Sequence, residues 1–273
     1  MGKISDAFER YQKERELKTE PLPIEPVKKP IPEERESALP REPFIHIGYS
    51  PKLVALTAPE SMDAENFKLL KSQILYPKEG HTPRTIMVTS ALPGEGKTFV
   101  AANLAVSIAQ GVNEHVLLVD CDLRKPTLNR MLGYSNTQGL HEYLVGKRDV
   151  SDLIIPTKIR KLSLIVGGRP PSNPGELLSS VRMRQFLDEV KDRYQDRFVI
   201  LDATPSQVTA ETNVLANYVD GIIFVVMAQK TPREIIQKAI ETLGKNKILG
   251  VVFNGYTRSL GSYGKYYKKY YHK

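Results

Sequence analysis

The chain has no tryptophan and a single cysteine, Cys121, among its 273 residues. One thiol cannot form an internal disulfide, which excludes a disulfide-stapled fold and fits a reducing cytoplasm. Long hydrophobic runs are also missing. Ile222 to Ala228 is among the longest, far short of the roughly 18 residues that cross a bilayer. The N-terminus carries no apolar signal core, and in Met1-Gly2-Lys3-Ile4-Ser5 the hydroxyl comes one position early for myristoylation. Global disorder is excluded in turn, because 41% hydrophobic residues can build a sizeable core in one large or two small domains. The formal charge of +8 is modest, and its placement matters more than its size.

Three regions differ in composition. Residues 1–18 space Ile4, Ala7, Phe8 and Tyr11 as one helical face, a short amphipathic helix that suits docking on a partner or a frayed surface position. Residues 19–51 hold eight of the nineteen prolines, which predicts an extended linker and sets the first region at 1–55. From 56 to 255 the pattern predicts a folded domain. A helix is expected at Ser61–Tyr76, with Phe67, Leu70 and Ile74 on one face. Apolar strands are expected at 85–89, 116–120, 162–166, 198–201, 221–227 and 250–253, and helices at 98–110, 126–131, 179–194, 211–217 and 232–243. Strands apolar throughout belong to parallel sheets covered on both faces. The fold class is therefore α/β, a doubly wound and mostly parallel sheet with ligands at the carboxyl ends of its strands.

Ser90-Ala91-Leu92-Pro93-Gly94-Glu95-Gly96-Lys97-Thr98 joins the first strand to a helix, which is the setting a phosphate-binding loop requires. Glycines let backbone N–H groups converge on phosphate oxygens, and the helix start adds the positive end of its dipole. Lys97 is expected on the β- and γ-phosphates and Thr98 on Mg²⁺, with Pro93, Gly94, Glu95, Gly96 and Phe99 lining the nucleotide. Ala91 stands where the usual pattern has glycine.

Magnesium needs carboxylates as well. Asp120 and Asp122 end one apolar run and Asp202 ends another, all expected on the rim that carries the loop. Each alone also suits a turn or a helix cap. Arg124 and Lys125 follow the acidic pair and suit phosphate oxygens, the carboxylates or another subunit.

Together, Ser90-x-x-Pro-Gly-Glu-Gly-Lys-Thr, the Asp-x-Asp-x-Arg-Lys-Pro string to Pro126 and Asp202-Ala203-Thr204-Pro205 resemble the Walker A, A′ and B boxes of the bacterial tyrosine kinases. The resemblance covers residues 60–273 and includes Gly139-Leu140, Asn173-Pro174-Gly175-Glu176-Leu177-Leu178 and Val251-Val252-Phe253-Asn254. It implies a P-loop fold, ATP and Mg²⁺, and Lys97, Asp120, Asp122 and Asp202 as catalytic residues, with Thr98 and the three aspartates at the metal. It favours Asp120 as the base toward the incoming phenol, and gives Asn254 the base-recognition position. Family members autophosphorylate C-terminal tyrosines, regulate polysaccharide export, and work with a membrane-anchored activator. This implies a cytoplasmic chain held at the inner face of the membrane, of the type whose activator is a separate chain. The family's ring-assembly motif Glu-x-x-Arg-x-x-Arg is replaced by Glu65, Lys68 and Lys71, which keeps charge but loses the planar guanidinium fork. The Walker B segment also departs, with Ala203-Thr204-Pro205-Ser206 where members more often have Thr-Pro-Pro.

Residues 256–273 contain Tyr256, Tyr263, Tyr266, Tyr267, Tyr270 and Tyr271, five basic residues and no acid. Such a tail can track nucleic acid, lie on an anionic membrane or accept phosphate. The adjoining nucleotide site favours acceptor tyrosines, and no nucleic acid is expected. Four phosphates at about −1.5 to −2 each would take the tail from +5 to about −1 or beyond, which suggests a charge switch that loosens a homo-oligomeric ring. Two rival readings remain. A MinD/ParA-type ATPase would carry an extra lysine early in the loop, where this chain has Leu92, Pro93 and Gly94. A non-catalytic, nucleotide-dependent scaffold of an export complex leaves no distinguishing mark in sequence.

Overall fold

The structure, a computed structural model, describes residues 45–135, 138–193 and 196–256. The helix expected at residues 1–18, most of the proline-rich stretch and all tail tyrosines except Tyr256 lie outside them.

Seven strands form one sheet: β1 (Thr85–Ser90), β2 (His115–Asp120), β3 (Ile155–Pro156), β4 (Leu162–Ile165), β5 (Arg197–Asp202), β6 (Gly221–Met227) and β7 (Ile248–Asn254). Their order is β3-β4-β2-β5-β1-β6-β7. Every pairing is parallel except β3 with β4. The central strands β1, β2, β5 and β6 are buried almost throughout, as runs of Ile, Val, Leu and Met should be when helices cover both faces.

On one face lie α1 (Val54–Thr57), α2 (Met62–Leu75) and α3 (Lys97–Ala109). Ser61 caps α2, its hydroxyl accepting from the Ala64 N–H at 3.1 Å. Helix α3 is buried nearly all round and packs Val100, Leu104 and Ile108 against β-strand residues Ile86, Val88 and Leu118. The short helix α4 (Leu128–Leu132) joins this face through Leu128, Met131 and Leu132, and the opposite face is covered by α5 (Leu140–Leu144), α6 (Val150–Leu153), α7 (Pro174–Leu178), α8 (Val181–Arg193), α9 (Glu211–Ala216) and α10 (Arg233–Leu243). Helix α8 turns Met183, Phe186, Leu187 and Val190 inward, an i, i+3, i+4, i+7 stripe. Proline at the first position of α7 fits a place where the N–H has no helical partner.

The long alternating elements lie where the apolar patterning puts them. Four short helices, α1, α5, α6 and α7, do not follow from it, being too brief to show a period. The segment before α1 also differs from an extended linker. Leu53 is fully buried, His46 bridges to Tyr134, and the Ile47 N–H donates to the Gly133 carbonyl at 2.7 Å. Asn103 on α3 fixes this segment: its side-chain oxygen accepts from the Ala55 N–H at 2.9 Å, and its amide donates to the Lys52 carbonyl at 3.0 Å. The packed domain therefore includes residues from His46 onward.

Strand β7 is an edge. Ile248, Gly250, Val252 and Asn254 are half-buried, whereas Leu249, Val251 and Phe253 are exposed.

Candidate functional site

Three neighbouring strands, β2, β5 and β1, end on the same rim. In the register, Asp120 lies opposite Asp202, and Asp202 lies opposite Val88, two residues before the end of β1. Parallel pairing brings both carboxylates beside the loop leaving β1. Strand order supplies this proximity, since the residues are far apart in sequence.

The loop between β1 and α3 is built by contacts from several directions. Gly94 and Gly96 have φ of 80° and 95°, the left-handed region in which a side chain is strained. A Cβ on Gly96 would also meet the Asn254 amide nitrogen at 2.0 Å. Glu95 is 2% exposed, and its carboxylate accepts from the Leu92 N–H at 2.6 Å and the Met227 N–H at 3.1 Å, and from the Thr231 hydroxyl. It therefore fastens the loop to the end of β6. Asn254, at the end of β7, donates from its side-chain amide to the Glu95 carbonyl at 2.9 Å. These structural roles were not legible in the sequence, where Glu95 reads as lining the nucleotide and Asn254 as a base contact or a turn residue. One hydrogen of the Asn254 amide is engaged by Glu95, and its second hydrogen and side-chain oxygen are left for other partners. Ala91 is fully buried, and its carbonyl accepts from the Gln207 N–H at 3.3 Å. No left-handed φ is recorded there, so the glycine of the usual pattern is not needed at that position.

Lys97 opens α3 and is largely buried. Thr98 follows, and its hydroxyl lies 3.3 Å from that of Thr127. Asp120 is fully buried; one oxygen accepts from the Asp122 N–H at 3.1 Å, the other from the N–H groups of Thr127 and Leu128 at 3.0 and 3.1 Å. Its first oxygen keeps a free lone pair. Burial, with the Asp202 and Asp122 charges, holds Asp120 well above the usual carboxylate range, against the pull of the Leu128 and Thr127 N–H groups. Asp202 is fully buried, and neither of its oxygens has a hydrogen bond of full geometry. Burial raises it to about 7, with the Asp122 charge adding to the rise and the Thr98 hydroxyl and Lys97 ammonium opposing it. An orphaned buried carboxylate beside a lysine and a threonine hydroxyl fits a hydrated cation, which would satisfy it. Among the described residues no group of three His, Cys, Asp or Glu side chains forms a metal nest by itself.

The other sequence candidates border this rim or lie away from it. Half-exposed Asp122 accepts from the Lys125 N–H at 3.1 Å, which shapes the turn after β2. The half-buried Phe99 ring packs on Phe67 at the edge of the core, with centroids 5.6 Å apart. Arg124 pairs with buried Glu211 at 3.1 Å. Glu65 and Lys68 pair with each other at 3.0 Å on α2, with Lys71 half-buried one turn on. Tyr256 is exposed at the end of the described chain.

Residues 83–247 match the family model described as an AAA domain. The chain is 36% identical over 217 residues to tyrosine-protein kinase YwqD of Bacillus subtilis, covering 79% of this chain and 90% of that protein. The chain belongs to the bacterial tyrosine-protein kinase family. It is also 29% identical to tyrosine-protein kinase wzc of Salmonella typhimurium, across 79% of this chain but 30% of that longer protein. Among solved structures, the chimerical protein CapA2B2 superposes with a TM-score of 0.70 at 30% identity, over 79% of this chain and 95% of that one. The kinase domain of Escherichia coli tyrosine kinase ETK gives 0.68 at 28% identity, over 77% and 83%. The fold extends further: MinD of Pyrococcus horikoshii, at 22% identity, shares it with a TM-score of 0.54 over 68% and 76%. Among the described residues no helix is long and apolar enough to cross a membrane.

Proposed function

We propose that this chain transfers the γ-phosphoryl group of ATP to tyrosine hydroxyls on the C-terminal tail of a neighbouring copy, and so regulates polysaccharide synthesis or export. The observation that carries the chemistry is the pairing of Asp120 with Asp202 on strands next to the Lys97–Thr98 loop, with Asp202 buried and unsatisfied.

Backbone N–H groups from Gly94 to Thr98 and the Lys97 ammonium would bind the phosphates and stabilise charge on the oxygens of the transferring group. Thr98 and Asp202 would hold magnesium, with Asp120 and Asp122 reaching it directly or through water. The ion would supply charge neutralisation across the β- and γ-phosphates. As the phenol oxygen bonds to phosphorus, the bond to the ADP oxygen breaks. The phenolic proton then passes to Asp120, whose oxygen facing the Asp122 N–H keeps a lone pair for it. Fastening by Glu95 and Asn254 keeps the loop amides oriented before substrate arrives.

The acceptors in this reading are Tyr256, Tyr263, Tyr266, Tyr267, Tyr270 and Tyr271. The reading includes transfer between copies, ring assembly through Glu65, Lys68 and Lys71, and a membrane-anchored activator of the copolymerase type, which family membership supports. It also includes a cytoplasmic position against the inner face of the membrane. An ATP-dependent scaffold without transfer is the competing reading.

One experiment separates them. A full-length Lys97→Met chain supplies intact tails, and a full-length chain with all six tail tyrosines changed to phenylalanine supplies the enzyme. Mixing the two with ATP and magnesium should yield phosphotyrosine on the Lys97→Met tails, mapped by mass spectrometry. Their staying unmodified while wild-type tails become modified would overturn transfer between copies. Unmodified wild-type tails would overturn the kinase reading.

A further inference from the structure

A cavity of about 480 Å³ adjoins the catalytic rim, with Arg124, Lys125, Arg130 and Arg169 among its lining residues and no carboxylate. Pro126, Val166 and Pro170 give it apolar walls. Arg124 is already paired with Glu211. Among the described residues Lys125, Arg130 and Arg169 form no ion pair with a carboxylate. Two acids, Asp120 and Glu142, lie behind Gly167 and Gly168. Asp120 accepts three backbone N–H groups, and Glu142 accepts from the Gly139 N–H at 2.6 Å.

Two glycines let the wall at Gly167 and Gly168 pack closely against its neighbours. A Cβ on Gly167 would meet the Pro126 Cβ at 2.7 Å, and one on Gly168, at φ of 83°, would meet the Glu142 carboxylate at 2.2 Å. One wall is shared with the catalytic site. Thr127 lines the cavity, its N–H donates to Asp120 at 3.0 Å, and its hydroxyl lies 3.3 Å from that of Thr98.

Uncompensated cations beside prolines and a valine suit an aryl ring bearing a dianion. We infer that this cavity is a phosphotyrosine subsite, which holds an already modified tyrosine of the tail while a neighbouring tyrosine of the same tail occupies the acceptor position. The inference rests on the kinase reading for its source of phosphotyrosine. The tail's acceptors come in adjacent pairs, Tyr266-Tyr267 and Tyr270-Tyr271, so a product seated against Thr127 leaves its neighbour one residue from the rim that carries Asp120. The first transfer to a tail thereby primes the next, and modification runs along one tail before starting on another.

The test uses full-length, dephosphorylated protein and a synthetic peptide of residues 261–273, unmodified or phosphorylated at Tyr271, with binding read by fluorescence anisotropy. The phosphopeptide should bind about tenfold or more tightly than the unmodified one, as expected for charge-assisted contacts to several cations. Arg130→Ala combined with Arg169→Ala should erase that preference while Mg·ADP affinity stays at the wild-type value. Phenyl phosphate should compete better than inorganic phosphate. Equal affinity for the two peptides, a preference that survives in the double variant, or equal competition by the two phosphates would overturn the subsite. Because the phosphopeptide is synthetic, this result does not depend on the protein's own transfer activity, which mass spectrometry of ATP-treated tails reads separately.

Discussion

The Asn254 side-chain amide donates to the backbone carbonyl of Glu95 at 2.9 Å, joining two residues 159 positions apart. One end of the contact lies in the phosphate loop, and the other lies just before the tyrosine tail. Removing the amide by Asn254→Ala should cost about 1 kcal/mol of stability and loosen the loop, weakening Mg·ADP binding several-fold. Gly96→Ala should be far more damaging to binding, since a Cβ there clashes with Asn254 and the φ of 95° disfavours any side chain. Isothermal titration of both variants checks the ranking. Equal affinities would mean that the loop's shape does not depend on this contact.

Lys97 contributes charge at a site that is mostly closed to solvent. Lys97→Met keeps the length and apolar stem of the side chain, so the melting temperature should stay within a few degrees of wild type. Tail phosphotyrosine should vanish. Anti-phosphotyrosine blotting beside a thermal melt tests both halves, and retained phosphorylation would remove Lys97 from the mechanism.

Asp202 gives a prediction about pH. Its folded-state value lies near 7, above the ordinary carboxylate value of 3.8. A group raised on folding contributes stability that is complete below its unfolded value and is lost as pH rises through its folded value. Asp202→Asn should therefore leave the ligand-free protein near wild-type stability below about pH 4 and make it more stable at pH 8, by up to about 4 kcal/mol. The sign reverses with ligand: Mg·ADP should raise the wild-type melting temperature more at pH 8 than at pH 6, and barely move the variant. Parallel pH curves for the two proteins would contradict the assignment.

Arg124 is half-exposed, but its partner Glu211 is only 3% exposed. Arg124→Ala leaves that carboxylate buried without its charge partner, which should destabilise the protein by about 1–3 kcal/mol. Arg124→Ala with Glu211→Gln should recover most of the loss. Urea unfolding of the single and double variants measures it. A neutral single variant would show the pair to be incidental.

Much of this architecture could be read before any coordinates. The apolar runs of β1, β2, β5 and β6 and the glycine-rich turn at 94–96 announce a covered parallel sheet with a phosphate loop, because each signal is local. The contacts that hold the loop are not local. Glu95 reads as one more loop acid until β6 brings the Met227 N–H to it, and Asn254 reads as a base contact until β7 lies down beside β6. Strand order is hidden for the same reason: Asp120 and Asp202 become neighbours only because β5 inserts between β1 and β2. The docking of residues 46–55 was masked by nearby prolines, although Asn103, a polar residue within an apolar helix, marks where that segment is held. The packing of the Phe99 ring on Phe67 is likewise hidden, because 32 residues separate the two in sequence.

The open border at β7 has a practical consequence for anyone handling the isolated polypeptide. Among the described residues no strand pairs with the outer side of β7, and its Leu249, Val251 and Phe253 are turned to water, which invites a second molecule to add itself to the row. Concentrated stocks should then creep toward larger particles, and a single lysine at position 251 would keep them apart.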